Sequence, residues 1–176
     1  MNDLSANRAA VQGAAPVLKL EEFLPYRLNV VASLTSQALS RIYSDRYGIG
    51  VPEWRVLVTL GQYGTMSSKA IGAHSHMHKT KVSRAVAALE RRKLLTRRTN
   101  REDLRESELT LSAAGVAIYQ DLAPIAFDFA RRLQDSIEPA DRAAFDRAVD
   151  RLTERSAKLA AEVSSGPRKG RKTPQP

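Results

Sequence analysis

Apolar residues recur along most of this chain at three- and four-residue spacing, which is the period of an amphipathic helix. The first such pattern covers about residues 20–47 and predicts a helix of ~25 residues, about 38 Å long and longer than a small core needs. A second helix is predicted from Pro52 to an end near Gly61 to Gly64, and a short third helix begins with a cap at Ser67 or Ser68. A fourth helix is predicted from about residue 79 to 93.

A hairpin and two more helices are predicted in the second half of the chain. The strands cover residues 96–99 and 106–111, with a polar turn between them. The helices cover about residues 113–136, with a kink expected at Pro124, and residues 139–163. The last pattern alternates four- and three-residue spacing, which suits packing against other helices. The predicted fold is mainly α with a small β-hairpin.

The formal net charge of +9 is concentrated in two stretches. Between residues 78 and 105, ten basic residues stand against three acidic ones, which leaves +7. Residues 164–176 add four basic residues and no acidic one, and the rest of the chain sums to −2. This distribution indicates a polyanionic partner. The basic tail, residues 164–176, is predicted to be disordered, and residues 1–18 to form a flexible arm.

The sequence argues against several classes of protein. It contains no cysteine, which excludes disulfides, thiolate catalysis, cysteine-ligated metals and cysteine redox sensing. No apolar run approaches the ~18 residues of a membrane span, and the first residues lack the apolar core of a signal peptide. Neither a glycine-rich phosphate loop nor a nucleophile elbow is present. We therefore expect a cytoplasmic protein that is not an enzyme, with no cofactor and no membrane partner.

The third and fourth helices are organised like a helix-turn-helix, whose second helix enters the major groove of DNA. The fourth helix begins with lysine, threonine, serine and arginine, which can reach guanine edges, other bases and phosphates. An isolated basic helix is more often a solvated face, which is the alternative interpretation. The arginine-rich hairpin favours DNA binding, because a basic β-loop beside such a helix acts as a wing that reaches phosphates or the minor groove.

The stretch from Ile71 to Gly115 resembles the winged helix of the MarR (multiple antibiotic resistance regulator) family. The recognition-helix pattern of that family is matched at Thr80, Val82, Ser83, Arg84, Leu89, Glu90 and Leu94. The signature D-x-R-x5-L-[ST]-x-x-G is matched at Asp103, Arg105, Leu111, Ser112 and Gly115. Two positions depart from the pattern, since His76 and Lys93 stand where the family commonly has turn glycines.

The resemblance implies a winged helix-turn-helix over residues 51–112 and a helical dimerisation domain over residues 19–50 and 113–163. It also implies that Arg105 enters the minor groove while Asp103 helps to fix the wing. The predicted DNA-contacting residues are Ser68, Lys69, His78, Lys79, Thr80, Lys81, Ser83, Arg84, Arg97, Arg98, Arg101, Asp103 and Arg105.

Members of the family commonly bind small aromatic or phenolic acids between the dimerisation helices and the winged helix. An anionic ligand there needs a cation and aromatic walls, and Arg27, Trp54 and His74 are the candidates by position. The alternatives are a core position for Trp54 and a surface or intersubunit salt bridge for Arg27.

The three histidines of the chain, His74, His76 and His78, lie within five residues and raise the question of a metal site. No carboxylate lies close to them in the sequence, and the zinc-sensing members of the family take their ligands mainly from dimerisation helices, which here hold no histidine. We therefore expect no metal, and histidines that serve the turn, a phosphate contact or a pocket.

The favoured hypothesis is a homodimeric transcriptional regulator, expected to be a repressor, that binds a pseudo-palindromic operator in double-stranded DNA. Release by a small aromatic acid, of hydroxybenzoate or hydroxynicotinate type, is expected. The main alternative is an architectural, weakly specific DNA-binding protein without effector control. A helical adaptor protein that does not bind DNA at physiological salt is a further alternative.

Overall fold

A computed structural model describes residues 17–99 and 107–165 of the chain. The elements in chain order are α1 (Leu24–Tyr47), α2 (Val51–Tyr63), β1 (Met66–Ser67), α3 (Ser68–Ser75), α4 (Lys79–Arg91), β2 (Leu95–Thr99), β3 (Ser107–Leu111), α5 (Ala113–Gln134) and α6 (Pro139–Ser165). The mainly helical winged helix-turn-helix fold predicted from the sequence is confirmed. The strand β1 was not predicted, because two residues are too few to show an alternating pattern.

The first helix begins at Leu24, four residues later than its apolar pattern predicted. A helix that ran from Leu20 would hold Pro25 in its interior, where proline lacks an amide hydrogen and clashes with the carbonyl four residues before it. With the start at Leu24, Pro25 lies in the first turn, where this is harmless. The helix ends at Tyr47 and is capped by Gly48, which has φ 58° and donates its amide hydrogen to the Ser44 carbonyl over 2.7 Å.

The three strands form one antiparallel sheet in the order β1-β3-β2. Leu95 lies opposite Leu111, and Arg97 lies opposite Leu109. Residues directly opposite in an antiparallel pair share a face, so Arg97 lies on the same face of the sheet as the buried Leu95 and Leu109. That face belongs to the core.

Two buried clusters organise residues 17–126. The first packs the inner face of α4 against α2, α3 and the sheet, and it comprises Val56, Leu60, Ile71, Val82, Ala85, Val86, Leu89, Leu94, Leu95 and Leu109. The members from α4 are Val82, Ala85, Val86 and Leu89, which lie on one face of that helix. The second cluster joins α1, α2 and the first half of α5 through Tyr43, Ile49, Trp54, Leu57 and Leu122.

The chain divides after Ala126, within α5, into two compact units. The second unit comprises the rest of α5 and α6, and its acidic and basic side chains form exposed pairs such as Arg142 with Asp135 at 3.2 Å. None of the helices in the described part of the chain combines the length and apolar composition that a membrane span requires.

His76 and Lys93, the two residues at family glycine positions, both adopt left-handed backbone conformations, with φ of 51° and 58°. At the end of α4 the amide of Lys93 donates to the Glu90 carbonyl over 2.8 Å, and that of Leu94 donates to the Leu89 carbonyl over 2.9 Å. These two bonds define a Schellman motif, in which the left-handed position is usually glycine. The family preference for glycine therefore has a direct conformational cause.

The L-[ST]-x-x-G part of the signature joins α4 to α5. Ser112 Oγ donates to the Lys93 carbonyl over 2.7 Å and accepts from the Gly115 amide over 3.1 Å, so it caps α5 and ties it to the end of α4. The Ser112 amide donates to the Leu94 carbonyl over 3.0 Å. Gly115 is buried against the Leu94 backbone, and a Cβ atom there would overlap the Leu94 carbonyl oxygen.

Candidate nucleic-acid interface

The outer face of α4 carries a group of predicted DNA-contacting side chains. Because Val82, Ala85, Val86 and Leu89 are buried, helical geometry turns the intervening residues away from the core. The exposed residues at the start of the helix are Lys79, Thr80, Lys81, Ser83 and Arg84. The fold thus presents three cations and two hydroxyls on one short helical surface.

The N-terminus of α4 is a favourable position for an anion. His78 occupies the cap position, and its carbonyl accepts from the amides of Lys81 and Val82, but its exposed side chain makes no capping bond. The first turn contains no acidic residue. The first amides of a helix lack intrahelical partners and carry the positive end of the helix dipole, so they favour negative groups such as phosphates.

A groove of about 530 Å³ runs between α3 and α4. Four predicted contact residues line it, Ser68 and Lys69 from α3, and Lys79 and Ser83 from α4. The start of α3 is fixed by Ser67, whose Oγ accepts from the Ala70 amide over 3.3 Å. The structure therefore brings the α3 and α4 contact candidates to one surface, although they lie ten or more residues apart in the sequence.

Arg97 and Arg98, both predicted contacts, lie in different environments on β2. The Arg97 guanidinium forms a bidentate ion pair with Glu90 of α4. Its Nε donates to Oε1 over 2.9 Å, and its Nη2 donates to Oε2 over 3.0 Å. These bonds lower the pKa of the Glu90 carboxyl and raise the pKa of Arg97. Arg98 is exposed and lies opposite Glu108 of β3. Sequence reasoning missed the ion pair, for which a glutamate seven residues before an arginine is a weak signal.

The remaining wing candidates, Arg101, Asp103 and Arg105, lie outside the described residues. Their predicted roles in the wing and the minor groove stay predictions. The same applies to the flexible arm expected over residues 1–18, apart from its last two residues, and to the basic tail beyond residue 165.

The three candidate effector residues are found in three separate environments. Arg27 is exposed on α1. Trp54 is only 8% exposed and stacks on Tyr43 with ring centroids 5.1 Å apart, so its ring is part of the core. His74 is exposed at the end of α3 and packs against the Tyr63 ring at a centroid distance of 4.4 Å.

An open, polar groove of about 400 Å³ lies between α1 and α2, and it contains none of those three residues. Its lining residues are Asn29, Ala32, Ser33, Ser36, Gln37, Ser40, Val51 and Arg55. Arg55 supplies the cation, and it also donates from Nη1 to the Ser75 carbonyl over 3.4 Å. Arg55, the exposed neighbour of the buried Trp54 in α2, was not among the effector residues predicted from the sequence.

The three histidines have separate structural settings. His74 packs on Tyr63, His76 occupies a left-handed turn position and His78 precedes the first residue of α4. Within residues 17–99 and 107–165, no three potential metal-ligating side chains of histidine or the acids cluster together.

Comparisons with known proteins agree with this geometry. Residues 49–107 match the model of the MarR family. A MarR/EmrR family transcriptional regulator from Acinetobacter sp. ADP1 shares the fold with a TM-score of 0.73 and 23% identity, over 80% of this chain and 99% of that one. A MarR family regulator from Silicibacter pomeroyi has a TM-score of 0.65 and 25% identity, over 76% and 90% of the two chains.

A third similar structure is BpsR of Bordetella bronchiseptica, which was determined to explain regulation of its DNA binding by 6-hydroxynicotinic acid. It has a TM-score of 0.61 and 19% identity, over 72% of this chain and 98% of that one. No functionally curated protein sequence matches the chain. Residues 49–107 of this chain therefore match the MarR family, and the chain shares the fold of MarR family transcriptional regulators over about three quarters of its length.

Proposed function

We propose that this protein is a homodimeric repressor that binds a pseudo-palindromic DNA operator and leaves it when a small aromatic acid binds. The observation that carries the DNA-binding part is the exposed basic and hydroxyl face of α4, at Lys79, Thr80, Lys81, Ser83 and Arg84. The open N-terminus of α4 and the adjoining groove support phosphate contacts on the same surface.

Unpartnered apolar surface supports the dimer. On α1, Leu24, Leu28 and Val31 recur at helical spacing and are 46%, 46% and 60% exposed. On α6, described by itself, Phe145 and Val149 are 50% and 42% exposed. Large exposed apolar patches mark interaction surfaces. We infer that a second copy of the chain covers these apolar side chains. In such a dimer the two recognition helices would lie ~34–36 Å apart, which is one helical turn of DNA.

The α1–α2 groove supports the effector part of the proposal. Its serine, asparagine and glutamine side chains can donate to a carboxylate or a ring hydroxyl, and Arg55 can pair with the carboxylate. BpsR, which has the same fold, responds to 6-hydroxynicotinic acid. Contributions from Arg27, Trp54 and His74 to effector binding stay predictions. A ligand in this groove would act by favouring one separation of the winged helices over another.

The DNA-binding proposal is tested by selecting duplexes from a random library with the wild-type protein and then measuring affinity at several salt concentrations. Arg84→Ala is expected to weaken binding to the selected duplex by about tenfold or more and to relax selectivity at the bases it reads. Arg91→Ala is the charge-matched control, because Arg91 is exposed at the far end of the same helix. The Arg91→Ala substitution should weaken binding to selected and to random duplexes by the same factor.

Two results would contradict the proposal. If the wild-type protein showed no preference for any selected duplex, the architectural alternative would be correct. If Arg84→Ala and Arg91→Ala lowered all affinities alike, α4 would contribute charge without reading sequence.

The effector part is tested by thermal shift with aromatic carboxylic acids, followed by DNA release with each hit. Arg55→Gln should abolish the thermal shift for the hits while DNA affinity without ligand is retained. A ligand that stabilises wild type and the Arg55→Gln variant equally would place the effector elsewhere.

A further inference from the structure

Arg92, the residue that follows α4, joins the end of the recognition helix to the end of α1. Its Nη2 donates to the Tyr47 carbonyl over 2.6 Å, and its Nη1 donates to the Gly48 carbonyl over 3.3 Å. The two segments are 44 to 45 residues apart in the sequence. This arginine, counted within the basic stretch of the chain, is therefore engaged with protein backbone.

The end of α1 is a favourable position for a cation. The last carbonyls of a helix lack intrahelical partners and carry the negative end of the helix dipole. On another side of this terminus Asp121 of α5 accepts from Tyr47 Oη over 2.8 Å and from Arg46 Nη1 over 2.9 Å. The last turn of α1 is thus held by α4 and α5 together.

The backbone of Arg92 is held in a defined conformation by the end of α4. It has φ −84° and ψ 1° and is followed by the Schellman motif at Lys93, which fixes the path of the chain out of α4. The buried cluster around α4 draws its residues from α2, α3, the sheet and the adjoining turn, and none of them comes from α1. The two Arg92 bonds thus tie α4 directly to a helix that its own core does not include.

We infer that Arg92 is a positioning residue that fixes the direction of the recognition helix relative to α1, and thereby selects the spacing between operator half-sites. The inference rests on the proposed function, in which α1 is part of the dimer. A 13-residue helix is about 20 Å long, so a tilt of about 10° at the Arg92 end moves its N-terminus by about 3.4 Å, one base-pair step of DNA. A loosely held helix would therefore tolerate spacings that a fixed helix rejects.

The test uses the full chain and palindromic duplexes selected with the wild-type protein, with the spacer between half-sites changed by one or two base pairs. Arg92→Gln is compared with Arg91→Gln. Both variants remove one charge from adjacent residues, but the exposed Arg91 side chain forms no hydrogen bond or ion pair with side chains or carbonyls of the described residues. Thermal unfolding of each variant verifies that it is folded.

A one-base-pair change of spacer should weaken binding of the wild type and Arg91→Gln by about tenfold or more, and binding of Arg92→Gln by about threefold or less. Arg92→Lys, which keeps the charge but offers a single ammonium group, should lie between them. If Arg92→Gln does not fold, the spacing selectivity of Arg92→Lys is compared with that of Arg91→Gln instead. Equal spacing selectivity in the Arg91 and Arg92 variants would overturn the inference.

A loss of affinity without a change of spacing selectivity would show that Arg92 supplies charge to DNA, and would also overturn it. The proposed function itself is tested with the wild-type protein alone. It would be wrong if the wild type bound a selected palindrome no more tightly than random DNA.

Discussion

Gly115 gives the sharpest test of the packing between the wing and α5. A methyl group at this position would overlap the Leu94 carbonyl oxygen, and it would lie 3.1 Å from the Leu94 carbonyl carbon and 3.3 Å from Leu111 Cδ2. The obstructing atoms are mainly backbone, which cannot turn aside as a flexible side chain does. Gly115→Ala must therefore displace α5 from the end of α4, and it strains the Ser112 bonds that join them.

The expected magnitude follows from two opposing terms. Replacement of a helical glycine by alanine stabilises a helix by about 0.5–1 kcal/mol when the site has room. Overpacking against an immovable neighbour costs about 1–3 kcal/mol, occasionally more, and the overlap here places the cost at or above the upper end. The net loss is about 2 kcal/mol or more, which for a chain of this length lowers Tm by about 4–8 °C.

Gly72→Ala is the matched control, since a Cβ there would lie 3.3 Å from the Met77 carbonyl oxygen and 3.6 Å from Val82 Cγ2. It should change stability by less than about 1 kcal/mol, because the helix gain and the mild crowding oppose each other. Urea unfolding followed by circular dichroism, at one protein concentration, measures both variants. If Gly115→Ala were as stable as Gly72→Ala, the close approach of α5 to Leu94 would be wrong.

Three further predictions concern the same junction and the wing. Ser112→Ala should cost about 1 kcal/mol of unfolding free energy, because α5 loses its cap; an unchanged urea midpoint would contradict this. Lys93→Gly should stabilise the protein by about 0.5–1 kcal/mol, because it relieves a left-handed lysine at φ 58°, and a lower Tm would show that the turn is not strained. The lowered pKa of Glu90 means that its pairing with Arg97 stabilises the fold above the unfolded glutamate pKa of about 4.3 and is lost as pH falls through the folded pKa. Glu90→Gln should therefore reduce the loss of stability on acidification, as seen in melts from pH 7 to pH 3, and an identical pH profile would show that the pair contributes nothing.

The sequence by itself determined the identity and the two faces of the recognition helix. The spacing of Val82, Val86 and Leu89 fixed which side is buried, and helical geometry alone then placed Lys79 and Arg84 outside. The positions of the turns at His76 and Lys93 could likewise be read from the sequence, because the family commonly has glycine there, although histidine and lysine do not by themselves favour the left-handed conformation. Such features depend on contacts a few residues apart.

Only the tertiary structure decided which charged and aromatic residues are available to a ligand. Composition counts Arg92, Arg97 and Arg84 alike, yet Arg92 binds carbonyls 44 to 45 residues away and Arg97 pairs with Glu90 across the α4–β2 packing. Trp54 likewise lies in the core through its stacking on Tyr43 of another helix. The physical reason is that a side chain's partners depend on how whole elements pack, and the periodicity within one element carries no information about that arrangement.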